Sequence, residues 1–179
     1  MLTVKQRGVA IGAISALLMS VLCIILAAHY ASGFFDVDVS LEFRLRLFAV
    51  SLMGPTATLL ICIARLANHR FFSEDDIDGS ALTDGTPQAK LLQALLQNTL
   101  EQLAIAAPVY FLAALTLQSA MLGVIPAVGG LFFVGRMFFF KGYAKGASSR
   151  AFGFALTFYS TVSLALTAIN FVYAIMYKQ

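Results

Sequence analysis

The sequence predicts an all-α integral membrane protein. Two observations carry that class. Of the 179 residues, 60% are hydrophobic and 12% charged, with a mean hydropathy of +0.85, well outside the balance usual for soluble domains. Several apolar runs also approach or exceed the roughly 20 residues that a helix needs to cross about 30 Å of hydrocarbon. A third observation excludes the other architecture that satisfies its backbone in lipid. Runs such as "IGAISALLMSVLCIILAA" are apolar on every face, whereas a β-barrel needs short segments of alternating polarity.

Five spans follow in order: 8–30, 45–67, 90–116, 119–140 and 151–176. The first follows Lys5 and Arg7, but its apolar stretch is longer than the 7–15 residues of a signal-peptide core, so it reads as a retained anchor. Its "GVAIG" holds Gly8 and Gly12 four residues apart, a spacing that permits close helix approach. Placing the N-terminus on the cytoplasmic side puts Lys5, Arg7, Arg65, Arg70, Lys90, Arg136, Lys141, Lys145 and Arg150 on that side. Only Arg44, Arg46 and Lys178 of the 12 basic residues are left outside. This asymmetry obeys the positive-inside rule and sends the C-terminus outside.

Net charge is +3 with a pI near 9.0. The basic residues punctuate the ends of apolar runs and form no continuous patch, so nucleic acid is not an implied partner. Cys23 and Cys62 lie inside apolar runs without metal-ligand spacing and read as small buried hydrophobes. The longest connection, "SEDDIDGSALTDGTPQ" at 73–88, reads as a solvated cytoplasmic loop with Asp-Gly turns at 78–79 and 84–85. A calcium loop starting at Asp76 would put Ala81 where glycine is required and Pro87 where glutamate is required, so that geometry fails and no metal is expected.

The polar residues inside the apolar segments need a reason. Asn98 and Glu101 stand three apart on one face at the head of the third span. Only Leu103–Leu115 follows as an uninterrupted apolar stretch, which is too short to cross alone, so Glu101 is expected near the cytoplasmic interface. Arg136 lies at a similar depth on the fourth span, and the short turn between the two spans makes them antiparallel neighbours. One reading is an ion pair between Glu101 and Arg136 that fixes helix register. Another is a ligand site. Arg136, Tyr143 and Arg150 recur at intervals of seven, with Lys141 and Lys145 between them, and guanidinium forks plus a phenol suit an anion or a thiolate.

"LLQNTLEQLAIAAP" followed by "GRMFFFKGYAKGASSRAFGF" resembles the MAPEG superfamily, the membrane-associated proteins of eicosanoid and glutathione metabolism. The shared pattern is N-x-x-E at the head of one helix, then R-x-x-aromatic-x-x-x-Y, then a basic residue opening the last helix; it covers residues 45–176. The resemblance implies an antiparallel four-helix transmembrane bundle (45–179) preceded by an additional transmembrane helix and outside loop (1–44). It also implies a homotrimer in the lipid bilayer with glutathione as co-substrate, whose thiolate attacks a lipophilic small molecule as a transferase or peroxidase would. In that reading Asn98, Glu101, Arg136 and Tyr143 bind glutathione, with Glu101 facing its amino group. Arg150 stabilises the thiolate, and Arg65 reaches a neighbouring subunit's site. The alternative is a non-catalytic relative held together by the Glu101–Arg136 pair. Three positions depart from the pattern of catalytic members: Ala94 stands for an arginine, Leu96 for a polar residue, and Phe139 for an aromatic residue with a hydroxyl in the leukotriene-forming enzyme. Lys90 and Lys145 are the nearby cations that could replace the lost arginine.

Overall fold

The computed structural model describes residues 2–31, 39–79 and 82–177, the side chain of Ile175 apart. Ala81, Lys178 and most of the connection after the first span lie outside the described residues. The expected class holds. Five helices run in order: α1 (Val4–Ala31), α2 (Leu41–Phe71), α3 (Pro87–Thr116), α4 (Val124–Tyr143) and α5 (Ala147–Tyr177). Each is long and apolar enough to cross a membrane, and no strand occurs among the described residues.

The helices overrun their apolar cores because polar residues cap them. Thr3 and Gln6 form a reciprocal capping box, the Thr3 N–H donating to Gln6 Oε1 at 2.8 Å and the Gln6 N–H to Thr3 Oγ1 at 3.2 Å. Two of the orphan donors at the N-terminus are thereby satisfied, and Lys5 and Arg7 fall within α1 rather than ahead of it. Ser40 caps α2 through the Phe43 N–H, and Thr86 caps α3 through the Ala89 N–H with Pro87 just inside; both are favoured cap chemistries. At the other end of α3, Arg44 Nη1 donates to the carbonyls of Ala114 and Leu117 at 2.8 and 2.9 Å, satisfying acceptors that a helix C-terminus leaves open. The fourth span opens at Ser119 as expected, but not as α-helix. Ser119–Met121 forms a single 3-10 turn, with Gln118 ahead of it in an extended conformation, and α4 proper begins at Val124.

α4 is the most enclosed helix and touches the other four. α5 packs along it, α1 lies against α5 and α4, and α2 pairs with α3. The N-termini of α1 and α5 sit side by side, since Ser148 Oγ donates to the Lys5 carbonyl at 3.1 Å. The main apolar core, including Tyr110, Ile125, Phe132 and Leu164, fills the half of the bundle nearest the α3–α4 turn. Polar side chains are thus left to the opposite half, where α4 ends and α5 begins.

Glycine sets how closely α4 and α5 meet. A Cβ on Gly153 would collide with the Phe139 backbone nitrogen and lie 2.6 Å from the Gly135 carbonyl; one on Gly142 would collide with the Ser149 carbonyl. Without interhelical hydrophobic driving force in lipid, such close backbone approach is a main source of helix association.

The loop between α2 and α3 differs from the solvated connection expected. Its Asp-Gly turns are present, with Gly79 at φ +83° and Gly85 at φ +71°, but Asp76 turns inward and is buried. Its carboxylate accepts from the Thr86 hydroxyl (2.7 Å), the Thr86 N–H (2.8 Å) and Ser73 Oγ (3.0 Å), and lies 2.8 Å from His69 Nε2. Thr86 therefore caps α3 while Asp76 anchors Thr86 to the end of α2. These bonds to Thr86, reinforced by His69 and Ser73, hold the Asp76 carboxyl below the usual carboxylate range, because each donor favours the charged form.

Two outcomes are expected. Gly153→Ala should destabilise the bundle by at least about 1–3 kcal/mol through overpacking, read as a lower thermal midpoint. Gly130→Ala is the control, since a Cβ there meets nothing within 4 Å. For Asp76, a depressed folded pKa means that its stabilisation is complete above the unfolded value of about 3.9 and is lost as pH falls through the folded value. The protection factor of the Thr86 amide, measured against its intrinsic exchange rate, should fall on acidification, and Asp76→Asn should show the low protection already at neutral pH.

Candidate functional site

The site is built around Arg136, whose side chain is 0% exposed in the interior of the bundle. Nη1 donates to Asn98 Oδ1 at 2.8 Å and Nε to Thr157 Oγ1 at 3.3 Å. Thr157 in turn donates to the Gly153 carbonyl at 3.0 Å. The guanidinium carbon lies 4.2 Å from the centroid of Phe139 and 6.0 Å from that of Phe132, so aromatic faces supply part of the missing solvation. Nη2 has no protein hydrogen-bond partner among the described residues. The Gly135–Thr157 approach, at which a Cβ would lie 2.5 Å from Thr157 Oγ1, brings α5 close enough to receive Nε.

The expected ion pair between Glu101 and Arg136 is not formed. Glu101 is exposed on the outer face of α3 and accepts from Gln97 Nε2 at 2.9 Å, while Asn98 points inward to Arg136. Residues three apart share a broad face, and here the face is split at its middle: one member turns into the bundle and the other out of it.

Beside Arg136 lies a cavity of about 340 Å³ lined by Asn98, Phe139, Tyr143, Ala147, Arg150, Ala151, Phe154 and Val9. Both Asn98 and Phe139 thus contact the Arg136 guanidinium on one side and the cavity on the other. Arg150 stacks on Tyr143, its guanidinium carbon 4.4 Å from the ring centroid, and the Tyr143 ring meets Phe139 edge-on at 5.2 Å. Four of the expected site residues, Asn98, Arg136, Tyr143 and Arg150, are therefore brought together. Arg65 is exposed on α2 and, like Glu101, does not line this cavity.

The departing positions also find their places. Leu96 packs against the apolar cluster of Cys62, Leu95 and Phe139. Ala94 lines a second cavity, about 360 Å³, under the Asp76 loop, together with Lys90, Gln93, Gln97 and Arg70. Lys90 therefore shares a space with Ala94; Lys145 lines neither cavity.

Thr157, Phe154 and Val9 belong to the site without having been expected there. Thr157 was signalled, because it continues the seven-residue interval from Arg136 through Tyr143 and Arg150, and 150 and 157 fall on one helix face. Nothing in the sequence marked Val9.

The profile of the MAPEG family matches residues 45–170, more than half of the chain. The chain belongs to the MAPEG family. No curated protein and no solved structure matches it. Membership places it in a group of membrane proteins concerned with glutathione and eicosanoid metabolism, and the five apolar helices agree with an integral, multi-pass membrane protein of that group. α2 to α5 carry the matched segment, and α1 precedes it.

A double-mutant cycle tests the buried contact. Asn98→Leu leaves an Arg136 donor unpaired and should cost about 1–3 kcal/mol of thermal stability. Adding Arg136→Met should restore part of that loss, giving a coupling of about 0.5–3 kcal/mol for the pair.

Proposed function

We propose that this protein binds glutathione in the cavity beside Arg150 and uses its thiolate to attack a lipophilic electrophile that enters from the bilayer, as a transferase or peroxidase. The observation that carries this reading is the buried Arg136 guanidinium. It has no carboxylate partner among the described residues, and its ligands Asn98 and Phe139 form part of the wall of a cavity that Arg150 also lines. Charged groups inside a membrane span are paired or functional, and the Arg150 guanidinium that lines the cavity, with Arg136 behind its Asn98 and Phe139 wall, favours an anionic ligand.

Each residue then has a role. Arg150, braced on Tyr143, lies where it can stabilise a thiolate, since a nearby cation favours the charged sulfur and lowers the thiol pKa. Asn98, Arg136 and Tyr143 bind polar parts of the tripeptide. Glu101 and Arg65 face outward, which suits a site shared between subunits. In a homotrimer Glu101 would meet the glutathione amino group at an interface, and Arg65 would reach a neighbour's cavity. Ala94 and Lys90 line the other cavity, under the Asp76 loop, so Lys90 does not take the lost arginine's place beside Arg150. The domain reading is 45–179 as the family bundle with 1–44 as an addition, the N-terminus cytoplasmic and the C-terminus outside.

Titration of the purified protein with glutathione should develop a far-ultraviolet thiolate absorbance that Arg150→Ala abolishes. The same change should weaken binding about tenfold or more, as expected for a charge-assisted bond worth about 1.5–3 kcal/mol. Absence of binding at millimolar glutathione would sink this reading.

A further inference from the structure

The cavity beside Arg150 is not made from the family bundle alone. Asn98 comes from α3, Phe139 and Tyr143 from α4, Arg150 and Phe154 from α5, and Val9 from α1. α1 is seated there by unusually close contact. A Cβ on Gly8 would lie 2.6 Å from Ser148 Oγ, and one on Gly12 would lie 3.0 Å from the Phe152 backbone nitrogen and 3.2 Å from the Ala151 Cβ. A side chain at Gly8 would force Ser148 to shift, and one at Gly12 would need Ala151 and Phe152 to give by a few tenths of an ångström. Ser148 adds the hydrogen bond to the Lys5 carbonyl. Val9 sits between the two glycines, and Ala151, which Gly12 touches, is itself part of the cavity wall and the chain neighbour of Arg150.

From this seating we infer that Val9 is a specificity-determining residue. It forms the wall against which the apolar group bonded to the ligand's sulfur packs beside Arg150. The inference rests on the glutathione reading for the identity of the anion, while the wall itself requires only an amphipathic anion with its charge at Arg150 and its apolar part against Val9, Ala151 and Phe154. A β-branched residue on a helix is held almost entirely to one χ1 rotamer, so Val9 presents a stiff surface. At about 340 Å³ the cavity is near the lower limit of the roughly 300–1,000 Å³ usual for small-molecule sites. A ring placed at position 9 would therefore take a large share of the room.

The test titrates wild type, Val9→Phe and the outward-facing control Leu18→Phe (66% exposed at Leu18) in lipid nanodiscs with glutathione, S-octylglutathione and octanoate. Val9→Phe should weaken S-octylglutathione by about tenfold or more, the effect of crowding an apolar pocket, and weaken glutathione distinctly less. Leu18→Phe should change neither. Equal weakening of both ligands by Val9→Phe, or no weakening at all, overturns the wall. If octanoate binds and is weakened by Val9→Phe while no glutathione compound binds, the glutathione reading falls and the wall stands. If none of the three binds wild type, both fall. Val9→Ala covers the case in which Val9→Phe does not fold. It should raise affinity for S-(diphenylmethyl)glutathione relative to S-methylglutathione, and an unchanged ratio overturns the proposal.

Discussion

A guanidinium buried without a carboxylate is the constraint on which the rest of this bundle depends. Removing such a charge from water costs several kcal/mol even after relaxation, and Arg136 offsets that cost with one bond to α3, one to α5 and an aromatic face on its own helix. Each contact dictates something larger. The bond to Thr157 requires α5 to approach α4 at glycine distance, the bond to Asn98 orients α3, and Phe139 must be buried rather than lipid-facing. The packing of three helices and the wall of the cavity are consequences of solvating one side chain.

The two halves of the molecule divide the work accordingly. Near the α3–α4 turn an apolar core supplies stability, and Arg44 closes the end of α3. Near the α4–α5 turn a smaller apolar cluster surrounds Arg136, Asn98 and Thr157, and order there depends also on directional bonds. α3 runs through both halves and separates two cavities at its polar end. Ala94 and Gln97 face the space under the Asp76 loop, and Asn98 faces the space beside Arg150. One helical step of about 100° between Gln97 and Asn98 is enough to change which cavity a side chain serves.

Much of this was legible in the sequence, for physical reasons that can be named. Long apolar runs specify spans, and an interval of seven places Tyr143 and Arg150 at one end of adjoining helices. Asp-Gly pairs specify turns because glycine alone tolerates the positive φ they need. Arg136's partner was not legible. Charge favours Glu101, burial favours Asn98, and spacing of three cannot say which of the two turns inward; the packing of α3 on its neighbours decides it. Asp76 was hidden for a related reason. An acid in a polar loop looks solvated, and its burial arises from His69 and Thr86, which the fold brings to it from 7 and 10 residues away. The capping box of Thr3 and Gln6 was readable from its own spacing and was masked by the apolar run behind it.

The hydrogen bond between Lys5 and Ser148 spans 143 residues of chain, which has a consequence for how the protein is made. α1 is synthesised before α2 to α4, yet the helix that receives its glycine face is synthesised after them. Until α5 enters the bilayer, α1 has its contacts with α4 but lacks the partner that Gly8 and Gly12 receive. The five-helix bundle therefore closes by joining α1 to α5, and the cavity wall that Val9 contributes comes into being only when α5 arrives.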